Sequence, residues 1–192
     1  MPLKFKSKLD KVVELLLYLA HKAPGIDKYQ ASKFFYLADR EHLAKYGRPI
    51  SFEPYFALWY GPVPSHALDL LEKDQRVMKA AGIEELPFET TIGKAENGTE
   101  TTFIGKPKRD PNLNLFSGSD IRVLDETIKK YKSYSFKQLM DLTHEHKAYK
   151  AAWEERKPEG AKRAEMYYEE MIEDEGRRKA FVEDLSPVSA RM

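Results

Sequence analysis

No cysteine occurs among the 192 residues. That removes disulfides, thiolate zinc sites and cysteine nucleophiles together, and it fits a reducing compartment. Long apolar runs are missing too. The most hydrophobic stretch near the N-terminus, Leu15 to Ala20, is far short of the roughly 20 residues that a membrane span needs. The basic start Met1–Lys8 is followed by neither a sustained apolar segment nor a small-residue cleavage site, so a cytoplasmic, unprocessed protein with no membrane association is expected. Nor is there an excess of charge of one sign: 32 Lys/Arg stand against 31 Asp/Glu, a formal net charge of +1, which argues against a dedicated nucleic-acid binder. Internal repeats are absent, which sets solenoids aside. So are a Gly-x-Ser-x-Gly elbow, a phosphate-cradling glycine loop and a His-Glu-x-x-His helix. No enzymatic activity, cofactor or metal is therefore expected.

What remains is ordinary globular material, 42% hydrophobic and 33% charged. A domain of this length buries roughly 70% of the surface of its unfolded chain, so it needs no staple. Its charges are unevenly spread. Residues 1–48 carry ten Lys/Arg against five Asp/Glu, and residues 160–184 five against eight. Such runs mostly mark solvated faces.

Helical spacing of Leu9, Val12, Val13, Leu16 and Ala20 predicts a first helix capped by Ser7, which ends at Ala23-Pro24-Gly25. Asp27 with Gln30 forms a capping box that opens a second helix, and Gly47 closes it as a left-handed residue ahead of Pro49. The short connection implies an antiparallel helix pair. Tyr55–Tyr60 reads as a buried strand, Gly61-Pro62-Val63-Pro64 as a rigid turn, and Ser65 as the cap of a short helix. Segments 88–92 and 100–104 flank Asn97-Gly98, which suits a type I′ hairpin turn. After a polar loop to Gly118 come a helix through Ile121, Leu124, Ile128 and Tyr131, a short helix opened by the Ser135/Gln138 capping box, and a helix through Ala148, Ala152 and Trp153. Beyond Pro158 and Gly160 a final charged helix is expected to carry Met166, Met171, Phe181 and Leu185, with Gly176 as its weak point and a frayed end at residues 186–192. The fold class is α+β, mostly α, with a small antiparallel sheet or hairpin inserted between two helical halves. Residues 1–157 form the domain, and 158–192 pack on it or extend it.

Few residues suggest chemistry. His144-Glu145-His146 invites a metal, but helical residues two apart diverge, and a third ligand would have to come from elsewhere. Trp59 and Tyr60 are either a stacking or interface platform or core filling; Trp59 reads as core and Tyr60 as surface. Lys33, Tyr36 and Arg40 recur at spacings of three and four on the second helix, which is either a solvated face or an aromatic between two cations suited to an acidic partner.

Taken together, the run from Lys33 to Leu43, then Tyr46-Gly47-Arg48-Pro49-Ile50, then Trp59-Tyr60-Gly61-Pro62-Val63-Pro64-Ser65 resembles the Panacea domain of SocA-like antitoxins, also known from phage-associated GepA-like proteins. Leu142-Thr143-His144 with Trp153 downstream matches that family's second signature. The likeness covers about residues 8–155. One departure is the single Val63 between Pro62 and Pro64, where the family commonly has two hydrophobic residues. The resemblance implies the antitoxin of a type II toxin–antitoxin pair, which neutralises a cognate toxin by direct binding. In some members the domain is thought to present the toxin to a cellular protease as well, which makes a protease a second candidate partner. Lys33, Tyr36, Arg40, Tyr60 and Pro62 are the expected partner-binding residues. Trp59, Gly61, Pro64, Thr143, His144 and Trp153 are expected to be structural parts of the family motif. The alternative is a DNA-binding regulator, because helices followed by a β-hairpin can mimic a winged helix and the first 48 residues are net basic.

Overall fold

The computed structural model describes residues 3, 5–185 and 187. Its central element is helix α2 (Lys28–Tyr46), and local chemistry explains both ends. The Asp27 carboxylate accepts the Gln30 N–H at 2.8 Å, and the Gln30 side chain accepts the Asp27 N–H at 3.3 Å. At the other end Gly47 sits at φ +80° and donates its N–H to the Leu43 carbonyl. Between these caps every residue from Ala31 to Asp39 is buried. A helix buried on all sides is an internal wall, not a surface element.

That wall separates two cores. One lies against α1 (Leu9–Lys22), α3 (Ser65–Leu71), α4 (Gln75–Ala80), the hairpin β3 (Phe88–Lys94) and β4 (Glu100–Pro107), and α5 (Gly118–Tyr131). The other contains Tyr36, Leu37 and Leu43 of α2 with residues of β1 (Tyr55–Leu58), α6 (Phe136–His144), α7 (Lys147–Glu154) and β5 (Ala164–Met166). Strand β2 (Gly61–Pro64) pairs with β1 from Tyr55↔Pro64 to Leu58↔Gly61. On its other side β1 pairs antiparallel with β5, Tyr55↔Met166 to Ala57↔Ala164, so the sheet order is β2-β1-β5. A 3-10 turn at Tyr168–Met171 and helix α8 (Glu175–Leu185) follow. The architecture is α+β and mostly helical, as its sequence predicts.

Several local expectations give way to other forces. Ser7 does not cap α1; its hydroxyl donates to Glu53 at 3.0 Å, and Lys8 occupies the cap position without a side-chain bond. Ser65 is the first residue of α3, and Pro64 is its cap. The expected antiparallel pairing of α1 with α2 is not the dominant one, because α2 lies closest to α5, and α1 to β4 and α3. The predicted proline turn is strand β2; the turn itself is Trp59-Tyr60. At Asn97-Gly98 only Gly98 has positive φ, so the turn is not type I′. The long final helix is in truth β5, the 3-10 turn and α8: Met166 is drawn into pairing with Tyr55. The expectation of a frayed end at 186–192 falls, apart from residue 187, outside the described residues.

One buried carboxylate sets the approach to β1. Asp39, fully buried, accepts the N–H groups of Ile50 and Ser51 at 2.7 and 2.8 Å, the Tyr55 hydroxyl at 2.8 Å and the Ser51 hydroxyl. Four donors satisfy a charge that would otherwise be expensive to bury. They also fix the loop after α2, and with it the start of β1.

Candidate functional site

The Trp59-Tyr60 turn is the most conspicuous feature of the surface. Trp59 is 68% exposed and Tyr60 43%. The expectation that Trp59 fills the core is therefore wrong: a two-residue hairpin turn points both rings outward, whereas a strand continuing to residue 60 would have alternated them. Tyr60 is at the surface as expected.

Beneath the turn the backbone is tightly held. Gly61 has φ +106°, a region that L side chains rarely adopt. A Cβ there would meet the Thr143 Oγ1 at 2.8 Å and the Lys33 Nζ at 3.1 Å. Thr143 is itself buried and donates to the Leu139 carbonyl at 2.9 Å. Lys33 donates to the Pro62 carbonyl at 2.9 Å, and the Tyr149 hydroxyl to the Leu58 carbonyl, also at 2.9 Å. Pro64, buried, closes the strand. The motif residues Gly61, Pro62 and Thr143 thus form the underside of the turn, and Pro64 lies opposite Tyr55 at the far end of the hairpin.

Aromatic rings flank it on both sides. On one side His144 stacks on Tyr149 at 4.3 Å, Tyr149 on Trp153 at 6.0 Å, and Trp153 meets Trp59 edge-on at 6.1 Å. Arg156 lies over the Trp153 ring at 4.1 Å. On the other side Tyr60 meets Phe136 edge-on at 5.3 Å, and Phe136 stacks on Tyr29 at 4.1 Å. Stacked and edge-on pairs of this kind add stability beyond area burial. The turn is therefore an exposed pair of aromatics on a rigid aromatic base.

The electrostatics are unusual at Lys33. Its side chain is fully buried, and burial pushes its ammonium down to about 7 against weak support from Asp27. Among the described residues no carboxylate lies within ion-pair distance of it. His144 is lowered by burial and then by the Lys33 charge, and its Nε2 is buried without a hydrogen-bond partner.

The other expected binding residues sit elsewhere. Tyr36 is not on a surface: it is 0% exposed, and its hydroxyl is 3.2 Å from the His146 Nδ1. Lys33 and Pro62 are likewise buried. Arg40 is half-buried and paired with Glu173. This face of α2 is covered by β2, α6 and the 3-10 turn at 168–171, which overturns the expectation of an exposed binding face. His144 and His146 do not converge, since one stacks on Tyr149 and the other faces Tyr36; burial, then the Arg40 charge, lowers His146 to about 4. Among the described residues no three His, Asp or Glu side chains are placed to hold a metal, and no helix is long and apolar enough to cross a membrane.

Besides Arg40, five of the ten Lys/Arg in residues 1–48 are paired with carboxylates. Lys11 and Arg48 bind Asp120, Lys22 pairs with Asp125, Lys28 with Glu72 and Lys45 with Glu41. Sequence reasoning missed Tyr29, Phe136 and Tyr149. Two of them carried a signal: Tyr29 lies one turn before Lys33, and Phe136 directly follows the Ser135 cap.

Comparison with known proteins gives one match. The profile of the family described as "Antitoxin SocA-like, Panacea domain" matches residues 32–153. No curated protein and no solved structure matches the chain. The matched segment runs from within α2 to the end of α7, and so contains the turn, its underside and the flanking rings except Tyr29.

Proposed function

Because this chain belongs to the family of SocA-like antitoxins with a Panacea domain, we propose that it is the antitoxin of a type II toxin–antitoxin pair and neutralises its toxin by direct protein–protein binding. The observation that supports a docking site is the Trp59-Tyr60 turn. Trp and Tyr are the residues most enriched at binding hot spots, and here both are exposed on a base fixed by hydrogen bonds to Leu58 and Pro62. Such rigidity lowers the ordering entropy that association costs. The toxin docks over this turn, and no longer across α2 as the sequence alone suggests. A cellular protease is a further partner of the complex under this reading.

The test is co-expression with the toxin reading frame adjacent to this gene. Wild type rescues growth. Trp59→Ala and Tyr60→Ala each weaken the complex by on the order of 2 kcal/mol, about 30-fold in affinity, with little loss of fold. Full rescue by the Trp59→Ala/Tyr60→Ala double variant would remove the turn from the interface. An adjacent product that is harmless alone would remove the antitoxin reading itself.

A further inference from the structure

A cleft of about 400 Å³ opens beside the turn, between α2, the β1–β2 hairpin, the β3–β4 loop and the start of α6. Its volume lies within the range of small-molecule sites. The walls are apolar: Tyr29, Leu58, Trp59, Tyr60, Val63 and Phe136. Lys33 is part of the lining, although it is wholly buried. An ammonium carries three N–H donors. One is used by the Pro62 carbonyl, and the Tyr29 ring lies 4.5 Å from the nitrogen.

A buried cation without a counter-ion is costly, and an anion brought to it in a poorly hydrated, aromatic-walled site is held far more strongly than in water. We propose that this cleft is a binding pocket for a monocarboxylate carried on a flat apolar group, with Lys33 as its counter-ion. The walls select the flat apolar body, because rings pack on rings. The charge count selects a single carboxylate. At the rim Lys28 is already taken by Glu72 at 2.6 Å, and the lining carries one further charge of each sign, Glu100 and Lys162. With Lys33 protonated, the three lysines and two glutamates of the lining leave one net positive charge, which a single carboxylate balances and a dianionic phosphate exceeds. The carboxylate can come from a free small molecule or from the last residue of a peptide chain; both present the same chemistry. Binding at this cleft requires only the chain itself and not the toxin, although Trp59 and Tyr60 belong to both surfaces.

Isothermal titration of the purified full chain, at about pH 6 where Lys33 is charged, tests it. The probes are indole-3-acetate and acetyl-glycyl-tryptophan with a free carboxylate, each compared with its neutral amide. At least one acid binds with a Kd below about 1 mM and at least about tenfold tighter than its amide. Lys33→Met abolishes that preference, while Trp59→Ala, whose exposed ring leaves the fold intact, weakens acid and amide alike. The tighter of the two acids identifies the source. Equal binding of acid and amide, a preference that survives Lys33→Met, or no saturation by either acid overturns the proposal.

Discussion

Replacing Lys33 by methionine separates the cost of a buried charge from the packing of the side chain that carries it. The ammonium is completely buried, has one hydrogen bond, to the Pro62 carbonyl, and is pushed by desolvation from 10.5 down to about 7. The sign of the effect follows from proton counting. Between about pH 7 and 10.5 the unfolded chain holds a proton that the folded chain lacks, so stability rises with pH across that window. Below the folded value both states are protonated, and the full penalty of about 5 kcal/mol applies. From about pH 6 to pH 9 the relief comes to roughly 3 kcal/mol. Methionine has similar length and no charge, but leaves the Pro62 carbonyl unpaired, a cost of about 1–3 kcal/mol that does not depend on pH. Lys33→Met is therefore more stable than wild type at the acidic end, and its advantage shrinks by roughly 3 kcal/mol towards pH 9. Urea unfolding at the two pH values measures both differences. An advantage that stays constant within about 0.5 kcal/mol would show that Lys33 does not titrate in this window, and the reasoning would fail.

Gly61→Ala should cost about 2–3 kcal/mol in thermal unfolding, because the new methyl meets Thr143 at 2.8 Å in a left-handed backbone. A Tm within a degree of wild type would contradict the close approach. Asp39→Asn should destabilise by about 2–4 kcal/mol, since an amide cannot accept all four donors that face the carboxylate; chemical denaturation measures it. Tyr36→Ala should cost about 3–5 kcal/mol through the cavity it leaves in the second core, and toxin rescue, assayed at low temperature where the variant remains folded, should persist.

Much of the fold was legible because short-range chemistry declares it. The Asp27/Gln30 and Ser135/Gln138 capping boxes and the left-handed Gly47 occur where the sequence places them. Burial of the second face of α2 was not legible. Lys33 and Tyr36 are amphipathic, and their native partners, Pro62 and His146, lie 29 and 110 residues away. Nothing within one helical turn distinguishes a solvated lysine from a buried one. Likewise Ala164–Met166 has no strand pattern of its own and becomes a strand because β1 has a free edge to offer. The site was half visible: the sequence identifies the motif residues but puts the turn at Gly61–Pro64, two residues beyond its true place at Trp59-Tyr60.

The place of β5 bears on the order of events during synthesis. Strand β1, which ends at the exposed aromatic turn, receives one neighbour from the next few residues and the other from a segment more than a hundred residues later. A nascent chain emerging at about 5–20 residues per second must therefore wait several seconds after Trp59 appears before Ala164–Met166 can close the sheet. Until then one edge of β1 is open, and the Tyr168 hydroxyl has not yet reached the Glu53 carbonyl just before that strand. The turn becomes a finished surface only once the chain has been made beyond Met166. A truncated product that contains every residue of the family segment would still present it on an incomplete sheet.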